Sequence, residues 1–213
     1  MNPTRARLSV KEVQTPVGIA RAHLARPAGA RGTLVLGHGA GGGVEAPDLQ
    51  ALGSLAEDGW LVVLVEQPWR VAGRRIATPP PQLDTAWVAV LAALTTGRWA
   101  VPRPLVVGGR SAGARVACRT AAEVGADAVL ALAFPLHPPG KPDRSRAGEA
   151  RAVTEAGTPL TVIQGEKDPF GTPAELAAAL DRHTRIVPAA GAHAFARDPA
   201  DVLAAARSWL ATL

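Results

Sequence analysis

Short apolar runs alternate along the chain with longer stretches in which apolar residues recur every three or four positions. The runs fall at 17–25, 33–37, 60–65, 104–108, 128–134, 159–164 and 184–188. They are rich in Val, Leu and Ile and are mostly continuous, the pattern of strands buried on both faces of a parallel sheet. The stretches 47–58, 84–96, 111–124, 147–156, 173–181 and 199–212 read as helices. Pro47 and Pro173 suit first-turn positions, Thr172 suits an N-cap, and Asp198 reads as the cap of the last helix with Pro199 next. This alternation predicts an α/β architecture: a mostly parallel, doubly wound sheet with helices on both faces. Ligands of such sheets bind beyond the carboxyl ends of the strands. Two long loops, 66–83 and 135–146, each follow a strand and are expected at that edge. Neither is long enough to form a lid domain.

Composition narrows the class. The chain has 213 residues, 47% hydrophobic and 19% charged, with 22 glycines and 19 prolines. That predicts a single domain, 1–213, with a sizeable core and many turns. The net charge of +5 is almost entirely arginine, because lysine occurs only as Lys11, Lys141 and Lys167. The arginines are scattered, and Arg74-Arg75 and Arg144-Ser145-Arg146 are the tightest groups. A solvated basic surface is expected, without the charged stripe of a nucleic-acid binder. Cys118 is the sole cysteine, which excludes an intrachain disulfide. The N-terminal MNPTRARLSVKEVQTP lacks the apolar stretch of a signal peptide, and no apolar run is long enough to span a bilayer. A cytoplasmic protein with neither nucleic-acid nor membrane partner is therefore expected.

The chemistry concentrates after the strands. Gly109-Arg110-Ser111-Ala112-Gly113 spells G-x-S-x-G between the strand-like PLVVG and the helical SAGARVACRTAAEVG. Strand before and helix after is the setting of a nucleophile elbow. A serine hydroxyl there stands above the sheet, at the start of a helix whose dipole favours developing negative charge. The hydroxyl needs a base, and the base needs an orienting acid, in the chain order serine, acid, histidine. His183 precedes its strand and falls at the wrong end of the sheet, and His137 precedes every plausible acid. His193, in the loop PAAGAHAF after strand 184–188, is at the right end. The strand 159–164 runs into GEKDPFG, where Asp168 lies deeper in the turn than Glu166, which is expected to be solvated. Ser111, Asp168 and His193 are thus the candidate triad. Strand 33–37 runs into His38-Gly39-Ala40-Gly41-Gly42-Gly43, so Ala40 and Ala112 are the expected oxyanion donors through their backbone N–H groups.

A rival reading starts from the same glycines. Gly37 to Gly42 also spells G-x-G-x-x-G, and Glu66 ends the next strand where a ribose-binding acid would sit. A pyrophosphate site wants those glycines in the first helical turn, whereas Pro47 starts the helix later. Dinucleotide binding also leaves Ser111, Asp168 and His193 without a role. Around the site, Arg70, Arg74, Arg75 and Arg110, together with Trp69 and His137, are candidates for substrate binding, the arginines for an anionic group. Cys118, Trp60, Trp87 and Trp209 read as core.

The segments LGHGAGGG, EQPWRVAGRR, PPPQLDTAW, VVGGRSAGARVA, FPLHPPGKP and QGEKDPFGTPAEL resemble a family of small α/β-hydrolases. That family includes many bacterial proteins, a testis-expressed vertebrate protein and a subunit of the non-specific lethal chromatin complex, and it is related more distantly to dienelactone hydrolases. The resemblance spans about residues 33 to 195. It implies an α/β-hydrolase fold, with Ser111 as nucleophile, Asp168 as acid and His193 as base. Dienelactone hydrolases carry cysteine where this chain has Ser111, so their substrate does not transfer. The expected function is a serine hydrolase of a small-molecule ester, thioester or similar acyl compound, requiring no metal or organic cofactor. Because some relatives are complex subunits, a non-catalytic interaction module on the same fold is the alternative.

Overall fold

Continuous apolar strands need cover on both faces, and two hydrophobic cores provide it. The structure is a computed structural model and describes residues 6–96, 100–195 and 199–213. Its strands are β1 (Arg7–Thr15), β2 (Gly18–Arg26), β3 (Gly32–Gly37), β4 (Trp60–Glu66), β5 (Leu105–Arg110), β6 (Ala128–Leu132), β7 (Leu160–Gly165) and β8 (Thr184–Ala189). They form one sheet in the order β1-β2-β4-β3-β5-β6-β7-β8. β1 and β2 pair antiparallel, as do β2 and β4, and every other neighbouring pair is parallel. The helices are α1 (Pro47–Gly53), α2 (Pro68–Val71), α3 (Pro80–Thr95), α4 (Ala112–Thr120), α5 (Ala147–Glu155), α6 (Pro173–Ala179) and α7 (Ala200–Leu210).

Along the parallel strands, alternate side chains enter opposite cores. Along β4, Leu61, Val63 and Val65 join Trp87 and Leu91 of α3 and Val116 of α4. Trp60, Val62 and Leu64 join Leu49 and Leu52 of α1 and Trp209 of α7 on the other face. Cys118 is buried in the first core, and burial pushes its thiol up to about 12, which suits packing and not thiolate chemistry. The chain steps from β3 outward to β4 and then back across to β5 on the other side of β3. That reversal opens a crevice at the carboxyl ends of β3 and β5.

The expected elements are present with four differences. β1 is an additional strand; its exposed edge and mixed composition hide it from a search for apolar runs. The segment 47–58 is a shorter α-helix, Pro47–Gly53, followed by a 3-10 turn over Ser54–Ala56. The long loop 66–83 holds α2, and α3 begins at Pro80, because proline is tolerated in a first helical turn. Thr172 does cap α6, in a reciprocal capping box with Glu175. Asp198, the expected cap of α7, lies outside the described residues. Among the described residues no helix is long and apolar enough to cross a membrane.

Candidate active site

The turn after β5 is forced tight from both sides. A Cβ on Gly109 would lie 2.4 Å from the Gly37 carbonyl oxygen, and one on Gly113 would lie 2.3 Å from the same oxygen. Between them Ser111 adopts φ 54°, a left-handed conformation that L residues rarely hold without support. Its amide donates to the Leu132 carbonyl at 2.9 Å, which anchors the turn to β6. Ser111 therefore stands at the head of α4, above the crevice.

Two further loops converge on it. His193, beyond β8, places Nε2 2.9 Å from Ser111 Oγ and Nδ1 2.8 Å from Asp168 Oδ2. With the Nδ1–H donating to the carboxylate, Nε2 is left to accept the serine proton. Asp168 is 1% exposed, and its Oδ1 accepts the Phe170 amide at 2.8 Å. The Phe170 ring lies against the imidazole, 4.2 Å between centroids. The β3 loop arrives from the other side, so that Ala40 and Ala112 line one small cavity next to the serine. A hydroxyl, an imidazole and a buried carboxylate thus stand in one line of contacts, an arrangement that can move a proton from the hydroxyl to the ring.

The family model described as an alpha/beta hydrolase domain matches residues 30–208. The chain belongs to this family. Solved structures share its fold. The lidless a/b serine hydrolase XC6422 from Xanthomonas campestris is 18% identical, with 98% of each chain covered and a TM-score of 0.74. Dienelactone hydrolase from Anabaena variabilis is 18% identical over 98% of this chain and 99% of that one, with a TM-score of 0.79. Est1E from Butyrivibrio proteoclasticus is 13% identical over 95% of this chain and 98% of that one, with a TM-score of 0.75. A comparison with curated protein sequences finds no match. This α/β hydrolase has no lid domain among its described residues: the segment between β4 and α3 holds only α2, and the segment between β6 and α5 holds no helix or strand.

Three contacts around the triad were not legible as such in the sequence. Gln164, fully buried in β7, directs Nε2 to Asp168 Oδ2 at 2.9 Å and to the Gly171 carbonyl at 2.7 Å. A lone amide at the end of the apolar strand LTVIQG is the signal that could have found it. Asp48 of α1, 3% exposed, forms an ion pair at 3.0 Å with Arg110 Nε. Burial raises the Asp48 carboxyl above its ordinary value, and the Arg110 guanidinium opposes that rise. His38 accepts the Gln67 amide at Nε2 (3.1 Å) and so carries its proton on Nδ1, which donates to the Gly39 carbonyl at 2.9 Å. Burial holds the His38 ring below its ordinary value, in the neutral form.

The expected substrate-binding residues separate into groups. Arg110 turns inward, donating to the His193 carbonyl at 2.9 Å as well as pairing with Asp48, so its guanidinium braces the histidine loop. Arg70 pairs with Glu45 at 2.7 Å. Arg74 and Arg75 flank an open hollow with Ile76 and Gln82. Trp69 is 3% exposed and lines the cavity beside Ala40 and Ala112, edge-on to His38 at 5.5 Å. His137 is buried, its Nε2 3.4 Å from Glu175 at the start of α6. Glu66, the acid a ribose would need, faces His23 at 3.4 Å, and α1 begins at Pro47, beyond the glycines. That arrangement lacks the helix start a dinucleotide needs.

Proposed function

We propose that the protein is a serine hydrolase that cleaves a carboxylic ester, thioester or similar acyl bond. The supporting observation is the continuous pair of contacts from Ser111 Oγ to His193 Nε2 (2.9 Å) and from His193 Nδ1 to Asp168 (2.8 Å). Ser111 Oγ attacks the acyl carbon while His193 takes its proton. The C–O or C–S bond to the leaving group then breaks, and His193 gives that proton to the departing atom. Water attacks the resulting acyl-serine with His193 again as base; the acyl–Oγ bond breaks and the proton returns to Ser111. Asp168 keeps the imidazole in the right tautomer and stabilises its charged form. The Ala40 and Ala112 N–H groups hold the oxyanion.

The test is labelling by a fluorophosphonate probe, with the modified residue mapped by mass spectrometry. Ser111 is the expected site. Ser111→Ala is expected to lower p-nitrophenyl acetate hydrolysis by about 10⁴-fold or more while leaving the circular dichroism spectrum unchanged. Wild-type turnover by a folded Ser111→Ala protein refutes the assignment.

A further inference from the structure

The hydrolytic reading divides the space around Ser111. His193 must hand its proton to the departing atom, so the leaving group stands on the His193 side of the attacked carbon. Two backbone N–H groups claim the carbonyl oxygen. The acyl chain is left the remaining direction, past the oxyanion donors and away from the imidazole. A cavity of about 10 Å³ lies beside Ala40 and Ala112, lined also by Gln67, Trp69, Leu83 and Val116, among others, and by neither His193 nor Ser111. That is room for roughly one methyl- or hydroxyl-sized group.

The wall is mostly apolar, with one exception that matters. Gln67 is 5% exposed, and its Nε2 donates to the Leu83 carbonyl at 3.3 Å. Its Oε1 is buried and has no hydrogen-bond partner among the described residues. His38, also on that wall, has both ring nitrogens engaged. A buried acceptor without a donor is unfavourable, and a site that holds one discriminates in favour of a ligand that brings the donor.

We infer that this cavity is an acyl subsite for the shortest hydroxyacyl group, as in glycolyl esters or thioesters, whose O–H donates to Gln67 Oε1. The inference rests on the hydrolase reading above. An acyl chain with an apolar carbon in the hydroxyl's place leaves the acceptor unpaired. A chain longer than three carbons meets Trp69 and Leu83.

Phenyl glycolate and phenyl propionate form a matched pair, since one carries a hydroxyl where the other carries a methyl. Their kcat/KM values, each divided by the ester's rate of alkaline hydrolysis, are expected to differ by about tenfold or more in favour of glycolate. Phenyl butyrate is expected to fall below propionate. Gln67→Met keeps the backbone N–H that His38 uses and removes the acceptor, so the glycolate preference is expected to collapse towards unity. A wild-type ratio near one, with Ser111 labelled by fluorophosphonate and propionate hydrolysed, overturns the subsite and leaves the hydrolase reading standing. A ratio that survives in folded Gln67→Met also overturns it. No labelling and no ester hydrolysis overturns both.

Discussion

Replacing Arg110 by methionine tests how the histidine loop is held. The guanidinium makes two contacts that methionine cannot: the ion pair with Asp48 at 3.0 Å and the bond to the His193 carbonyl at 2.9 Å. A hydrogen bond from a charged donor contributes about 1.5–3 kcal/mol, and removing one partner of a buried pair costs about 3–5 kcal/mol. The Arg110 side chain is 15% exposed, so water reaches part of the site, and these contributions are not additive. A loss of about 3 kcal/mol is expected for Arg110→Met, or roughly 6–12 °C in Tm at this chain length. Asp48→Asn is expected to cost only about 1–2 kcal/mol, because Arg110 keeps its bond to the histidine loop. The double variant is expected to be no less stable than Arg110→Met, since the stranded carboxylate is gone. The pH dependence carries a sign as well. Without Arg110, only the Leu49 and Asp48 backbone N–H groups still oppose burial, and the Asp48 carboxyl in the folded protein rises further above the ordinary 3.8. The folded state then keeps a proton that the unfolded chain releases, so the stability of Arg110→Met falls as pH rises through that higher value. Urea denaturation of all four proteins at pH 5 and pH 8 measures each term. Strict additivity of the two single losses, with no pH dependence in Arg110→Met, refutes the coupling.

Gln164→Leu removes the amide donor from Asp168 and is expected to lower kcat about tenfold to a hundredfold with KM near wild type; steady-state kinetics with an unchanged kcat rejects a positioning role. His38 is buried and held below its ordinary 6.5. The unfolded chain therefore takes up a proton from pH 6.5 downward while the folded protein resists it, and stability falls by at most about 1.4 kcal/mol per pH unit from this group. His38→Asn is expected to flatten that part of the urea-stability profile between pH 6.5 and pH 5, and an identical slope in wild type and variant contradicts the assignment. With no lid domain among the described residues, hydrolysis of a sparingly soluble ester is expected to follow one saturation curve through its solubility limit, without the jump of interfacial activation.

Most of the parallel sheet could be read from continuous apolar runs such as TLVLG and WLVVLVE, because burial on both faces leaves no polar positions to confuse the period. β1 could not, since an edge strand exposing Leu8 and Val10 has no such signature. The first turn of α3 was obscured by Pro79-Pro80-Pro81, residues that break helices everywhere except at their start. Ser111, Asp168 and His193 were legible because each follows a strand, and strand ends share one edge. Asp48 was not: its partner Arg110 lies on the far side of β4, α2 and α3 in the chain, and only the crossing of β3 beside β5 brings α1 over the elbow. Gln67 and Gln164 stood in plain view, but an amide's meaning depends on which of its atoms finds a partner, and spacing does not report that.

The crossing at the centre of the sheet also sets when the site can exist during folding. Ser111 and His193 lie 82 residues apart in sequence, and the elbow closes only when Gly109 and Gly113 meet the Gly37 carbonyl. Every one of those contacts is between distant parts of the chain, and closing such loops is slow compared with forming a helix. Helical signal therefore returns early in refolding, and recovery of the site waits for β5 to seat between β3 and β6. In a refolding experiment the fluorophosphonate-reactive fraction becomes a clock for the last step of sheet assembly, and it lags the far-ultraviolet signal.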